Sequence, residues 1–142
     1  MTNASDLSTM SRTGPLAAGA AGGLVGGVAF GVLMQMMGMM PMVAMLVRSE
    51  STVIGWLVHL VIALAIGAIY AILFANWART FTSATAIGIG YGLLWWIIGA
   101  LAAMPAILGM PMFDLNPMAW QSLMGHAIYG ALLGATYKLV RR

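Results

Sequence analysis

The stretch 53-VIGWLVHLVIALAIGAIYAILF-74 carries no acidic or basic side chain and is interrupted only by one imidazole, His59. At about 1.5 Å of rise per residue, such a run is long enough as a helix to cross a hydrocarbon layer of about 30 Å. It has no sustained period-two alternation, so a strand of a membrane barrel fits it poorly. Working outward, three further apolar runs of similar length appear, and the spans expected are 16–39, 53–74, 84–103 and 120–139. The whole composition agrees: 142 residues, 62% hydrophobic and 6% charged. The mean hydropathy is +0.97. The chain therefore reads as all-α, a single integral membrane domain over residues 1–142 with a polar N-terminal tail over 1–15. That tail could pass for the start of a signal peptide. The apolar run after Arg12 outlasts an ordinary signal core, however, and is read as a retained first span.

The same stretch contains a motif that returns. Residues 59–70, HLVIALAIGAIY, and residues 126–137, HAIYGALLGATY, both fit histidine, seven residues, then Gly-Ala-x-Tyr. His59 and His126 are the only histidines. Spans one and three each run into a Met-Pro, at Met40-Pro41 and Met104-Pro105, and spans two and four each carry the histidine motif. This pattern predicts a four-helix transmembrane bundle built from two tandem two-helix repeats, related by a pseudo-twofold axis along the membrane normal. Proline, lacking an N–H, is expected to end or kink each outward helix and to open a short one after it.

Four spans place the N-terminus, the 76–83 connection and the C-terminus on one side. That side holds Arg12, Arg79, Lys138, Arg141 and Arg142, whereas the other holds Arg48 with Glu50 and Asp114. The excess of positive charge predicts cytoplasmic termini in a multi-pass protein. Trp56 and Trp120 are expected at the outer interface, and Trp77, Tyr70 and Tyr137 at the inner one. The net charge of +3 comes from these topological residues rather than from a basic surface patch, so nucleic acid is not an expected partner.

Both histidines should lie about 9 Å below the outer boundary. Small pairs close to the histidine faces, Ala63 with Gly67 and Gly130 with Gly134, are expected to let spans two and four approach closely. Methionine is also unevenly placed: beyond Met1 and Met10, all fall between Met34 and Met45 or between Met104 and Met124. The candidate site is therefore His59 and His126, with Met36 and Met40 as soft metal ligands. The expected function is a non-enzymatic accessory or scaffold component of a membrane complex, holding a redox cofactor through the paired histidines. Two alternatives stand beside it. One is bis-histidine ligation of a b-type haem, with Trp95 and Trp96 against the ring. The other is Cu(I) binding or delivery through methionine and histidine.

Several chemistries are excluded by what is missing. Without cysteine there is no disulfide, thiolate site or covalent haem attachment. Apart from Lys138 at the very end of the fourth expected span, no charged residue lies inside a span, so a relay built on buried carboxylates or amines has no parts. Neither histidine has a neighbouring carboxylate in sequence to orient it for hydrolysis. Gln35 is expected to serve a helix contact, and Gly88, Gly90 and Gly92 to form small packing faces.

The segments GWLVH (55–59), GAIY (67–70), WWIIGALAAMP (95–105) and LMGHAIYG (123–130) resemble a family of small four-span integral membrane proteins of archaea and bacteria with no settled function. The resemblance implies the span count and a prokaryotic plasma membrane. The partners expected of so apolar a chain are the bilayer and other membrane subunits or further copies of itself. It implies no activity.

Overall fold

The computed structural model of the chain describes residues 13–141, and among them all regular structure is helical. The elements are α1 (Pro15–Met36), α2 (Met40–Met45), α3 (Thr52–Phe74), α4 (Phe81–Trp95), a π-helix (Trp96–Ala103), α5 (Met104–Leu108) and α6 (Pro117–Val140). Three stretches, Pro15–Met36, Thr52–Phe74 and the continuous Phe81–Leu108, are long and apolar enough to cross a membrane. Helix α6 matches them in length at 24 residues but is less apolar, carrying Gln121, Ser122, His126 and Lys138. Arg12 and Arg142, used above to orient the chain, lie outside the described residues.

Local chemistry sets most boundaries. Pro15 and Pro117 occupy first-turn positions of α1 and α6, where a missing N–H costs nothing. The Asn116 side chain accepts the Ala119 N–H at 3.0 Å to cap α6. Thr80 and Ser83 form a reciprocal capping box at the start of α4. Gly38 and Gly109 end helical segments at φ 68° and 69°, a left-handed conformation that glycine adopts without penalty.

The two Met-Pro sites behave differently. At the first, α1 stops at Met36, the chain turns through Gly38, and Met40-Pro41 opens the separate helix α2, as expected. At the second, the helix does not end at Ala103. It runs on to Leu108, and the turns before Pro105 widen into a π-helix. Pro105 has no N–H to give the Leu101 carbonyl four residues earlier. That carbonyl instead accepts the Phe113 N–H at 2.8 Å from the following loop. The loop is thereby tied back onto the widened turns.

The four long helices pack side by side in the order α3–α1–α6–α4, every neighbour antiparallel. The contacts are made by small residues. Gly19 and Gly23 of α1 face Gly67 and Ala63 of α3, and Ala84 and Gly88 of α4 face Gly134 and Gly130 of α6. A Cβ added at Gly88 would collide with the Gly130 carbonyl, and one at Gly130 with the Gly88 carbonyl. The small pairs on the histidine-bearing helices thus serve α1–α3 and α4–α6. They do not join α3 to α6, as expected from the sequence, because each small face is used within its own hairpin.

Helix α1 carries glycine doublets, Gly22-Gly23 and Gly26-Gly27. At 100° per residue, a doublet presents glycine in two directions at once. Gly23 and Gly27 approach Ala63 of α3, while Gly22 and Gly26 approach Leu133 and Tyr129 of α6. One step further along, Phe30 seats its ring over Gly125 of α6, and Gly31 takes the Trp56 ring of α3.

A strict twofold would make the α1–α6 and α3–α4 edges equivalent. They differ: α1 and α6 pack closely along their lengths, whereas α3 and α4 barely approach and the space is filled by aromatic rings. Hydroxyls bridge this wider side: Tyr70 of α3 donates to the Ala84 carbonyl of α4 at 2.7 Å and Tyr91 of α4 to the Ile66 carbonyl of α3 at 3.0 Å, while Tyr129 of α6 reaches across to the Ala63 carbonyl of α3 at 2.7 Å. Tyr70 and Tyr137, expected at the inner interface, are instead 0% and 1% exposed, with ring centroids 5.4 Å apart. A phenol facing hydrocarbon would leave its O–H without a partner, and turning it inward supplies one for Tyr70. The outside of the packed helices is made of large apolar side chains, among them Val28, Val32, Leu57, Val61 and Ile72. Small and aromatic groups inside with branched aliphatics outside is the arrangement a lipid solvent favours, since lipid gives no hydrophobic drive to bury the aliphatics.

Candidate functional site: a chamber with two histidines

The connections 37–51 and 109–116 lie at the same end of the packed helices, and a cavity of about 320 Å³ opens there. Its walls come from the end of α1, α2, α3, the π-helix and α5, and the start of α6. His59 and His126 both line it, as does Phe30. A smaller space of about 70 Å³ lies deeper, shared by the same three side chains with Trp95 and Tyr129.

The two imidazoles are held differently. His59 is 8% exposed, and its Nε2 lies 2.9 Å from the Gly27 carbonyl on α1. A carbonyl can only accept, so Nε2 carries the proton and Nδ1 keeps its lone pair. His126 turns Nδ1 toward the Ser122 carbonyl of its own helix at 2.8 Å, with the Ser122 Oγ at 3.3 Å. Its free lone pair is therefore on Nε2. Neither free nitrogen has a hydrogen-bond partner among the described residues, and neither is sealed from accessible space. The Trp95 Nε1 is the single buried side-chain donor in these residues left unpaired.

Phe30 stands against both rings, with centroids 5.5 Å from His59 and 4.7 Å from His126, both edge-on. Gly125 makes this position available, since a Cβ there would strike the Phe30 ring. Trp56, edge-on to His59 at 6.3 Å, donates its indole N–H to the Gln35 side chain at 3.1 Å. That is the helix contact expected of Gln35. Trp96, expected against a haem ring, donates to the Ala119 carbonyl at 3.0 Å and pins the start of α6 to the π-helix.

The methionines divide. Met36 is 79% exposed on the outside, and Met40 is fully buried with its backbone against Gly55 of α3. Neither lines the chamber. Met34, Met39, Met42, Met104, Met110 and Met118 do. Clustering of sulfur toward one end was readable in the sequence, but which thioethers turn inward depends on the turn at Gly38 and on the π-helix. The only carboxylate of the lining, Asp114, accepts from the Asn116 amide at 3.0 Å. The described residues hold no group of three or more His, Asp or Glu side chains placed to share a metal ion. The chamber thus offers two neutral nitrogen lone pairs and soft sulfur in an apolar enclosure. It suits a hydrogen-bond donor or a soft Lewis acid.

Comparison with protein-family models, with curated proteins and with solved structures finds no match to this chain.

Proposed function

We propose that the chain is a non-enzymatic, four-span protein of a prokaryotic plasma membrane that holds a small ligand in its paired-histidine chamber and acts as an accessory component of a membrane assembly. The observation that carries this reading is that both imidazoles line one cavity, each with one nitrogen fixed by a backbone carbonyl and the other without a hydrogen-bond partner among the described residues. Two acceptors without protein partners on the wall of one largely apolar cavity favour a ligand that donates to them or is coordinated by them.

Helix α6 is the fourth span of this proposal. Its low average hydropathy reflects inward-facing residues: Ser122, Gly125, Tyr129 and Gly130 are buried against the other helices, and His126 is half-buried beside them. Charge favours cytoplasmic termini, with Arg79, Lys138 and Arg141 at the end away from the chamber, and the chamber then opens outward. The matched small-residue spacing of the two hairpins supports descent from a duplicated two-helix unit. Among the ligands considered, Phe30 against both rings favours a compact one over a haem, whose iron would need the two nitrogens about 4 Å apart across it.

Native mass spectrometry on protein extracted from its own membrane in mild detergent tests the reading. Wild type should carry a bound mass that His59→Ala and His126→Ala both lose, and should retain partner subunits or copies of itself. A bare, solitary chain in all three samples refutes it.

A further inference from the structure

Resting on the ligand-holding chamber just proposed, we infer that the ligand is a soft monovalent metal ion, Cu(I), bound by imidazole and thioether donors. The free atoms are His59 Nδ1 and His126 Nε2, and their orientation is the first argument. Metal-binding histidines characteristically give their other N–H to a carbonyl or carboxylate, which fixes the ring and raises the basicity of the free nitrogen. Gly27 and Ser122 supply those carbonyls here.

The second argument is the company these nitrogens keep. Met34, Met39, Met42 and Met104 enter the same cavity from three different elements: α1 with its turn, α2 and α5. Thioether beside imidazole favours Cu(I) among the biological metals: zinc accepts imidazole but completes its sites with further imidazole, thiolate or carboxylate, and magnesium and calcium call for oxygen ligands. All the donors are neutral, so the bound charge is that of the ion alone. A single positive charge costs far less than a double one in an apolar enclosure.

The competing account is that these methionines are apolar filler for an irregular, proline-shaped end. Leucine separates the two, because it keeps most of the volume and removes the sulfur. The experiment is an anaerobic titration of the purified full-length protein in detergent with Cu(I), in competition with a chromophoric Cu(I) chelator. X-ray absorption at the copper edge then identifies the scatterers. Wild type is expected to take one equivalent with both nitrogen and sulfur neighbours. His59→Ala, His126→Ala and the combined Met34→Leu/Met42→Leu/Met104→Leu variant should each lose about tenfold or more in affinity. Met36→Leu, on the outer surface, should bind as wild type does. Circular dichroism and thermal melting of each apo variant confirm that it is folded.

Wild type that fails to compete for Cu(I) overturns the inference, and so does a triple leucine variant that binds as tightly as wild type. If copper fails while native mass spectrometry still finds a histidine-dependent ligand, the chamber reading stands without the metal. If neither is found, both fall together.

Discussion

Replacing Gly88 by alanine places one methyl group where α4 and α6 are closest. Its Cβ would meet the Gly130 carbonyl and the Gly134 nitrogen, both backbone, with no flexible side chain to yield. Gly90, two residues further on, is exposed on the outer face, and an added Cβ there meets nothing within 4 Å. Both substitutions gain the same helix-propensity term, about 0.5–1 kcal/mol, because glycine loses more backbone freedom on folding than alanine. Only the first incurs overpacking, about 1–3 kcal/mol. The expected difference between the variants is therefore about 1–3 kcal/mol, or about 5- to 150-fold in the folding equilibrium. The sign for Gly90→Ala is stabilising or neutral. Reversible unfolding in mixed micelles with increasing denaturing detergent, followed by tryptophan fluorescence and circular dichroism, reads both. Equal stability of the two variants would refute the argument that these helices are held at backbone contact.

Three further outcomes are expected. Tyr129→Phe should lose about 0.6–1.7 kcal/mol by the same unfolding assay, because the hydroxyl bridge to Ala63 disappears while that carbonyl keeps its helical partner. Gly125→Ala should push Phe30 from its seat and shift the imidazole resonances of His59 and His126 in NMR spectra, with other aromatic signals unchanged. Pro105→Ala restores an N–H within reach of the Leu101 carbonyl, so amide exchange at Phe113 should accelerate as its partner is taken; unchanged protection there would show that the proline does not cause the loop docking.

The helical class and the approximate extent of the apolar helices were legible because unbroken runs such as 53–74 leave no alternative satisfaction for backbone polar groups in lipid. The matched offsets of His59 and His126 predict a shared depth, and both line one cavity; whether they would meet could not be read from spacing, which leaves the helix faces unassigned. Other features were not legible. The doublets of α1 carry the packing direction, yet in sequence they look like generic small residues, since the partner faces are set only in three dimensions. The second Met-Pro reads as a helix end or kink by local propensity, with no sign of the widened turns before it. A loop amide from Phe113 instead satisfies the carbonyl that proline orphans, a contact twelve residues away that no local rule supplies. Tyr70, Tyr91 and Tyr129 could have been flagged as interior from one physical fact: a phenol on a helix facing hydrocarbon has no partner for its O–H. Met36, expected as a ligand, faces outward where α1 ends, and its neighbour Met34 lines the chamber, a difference set by the helix terminus rather than by residue type.

Helices α1 and α6 are the two that each use a pair of glycine-bearing faces, and among the described helices they are the first and the last to leave the ribosome. The hairpin of α1 with α3 is complete early. The second face of α1, with Gly22, Gly26 and Phe30, then waits on the order of ten seconds for α6, at a synthesis rate of about 5–20 residues per second. During that interval the incomplete chain exposes to the membrane a groove shaped for another helix, and Phe30 has no seat because Gly125 has not been made. The chamber does not exist until that final insertion, and a nascent chain stalled before residue 125 holds only one of its two histidines.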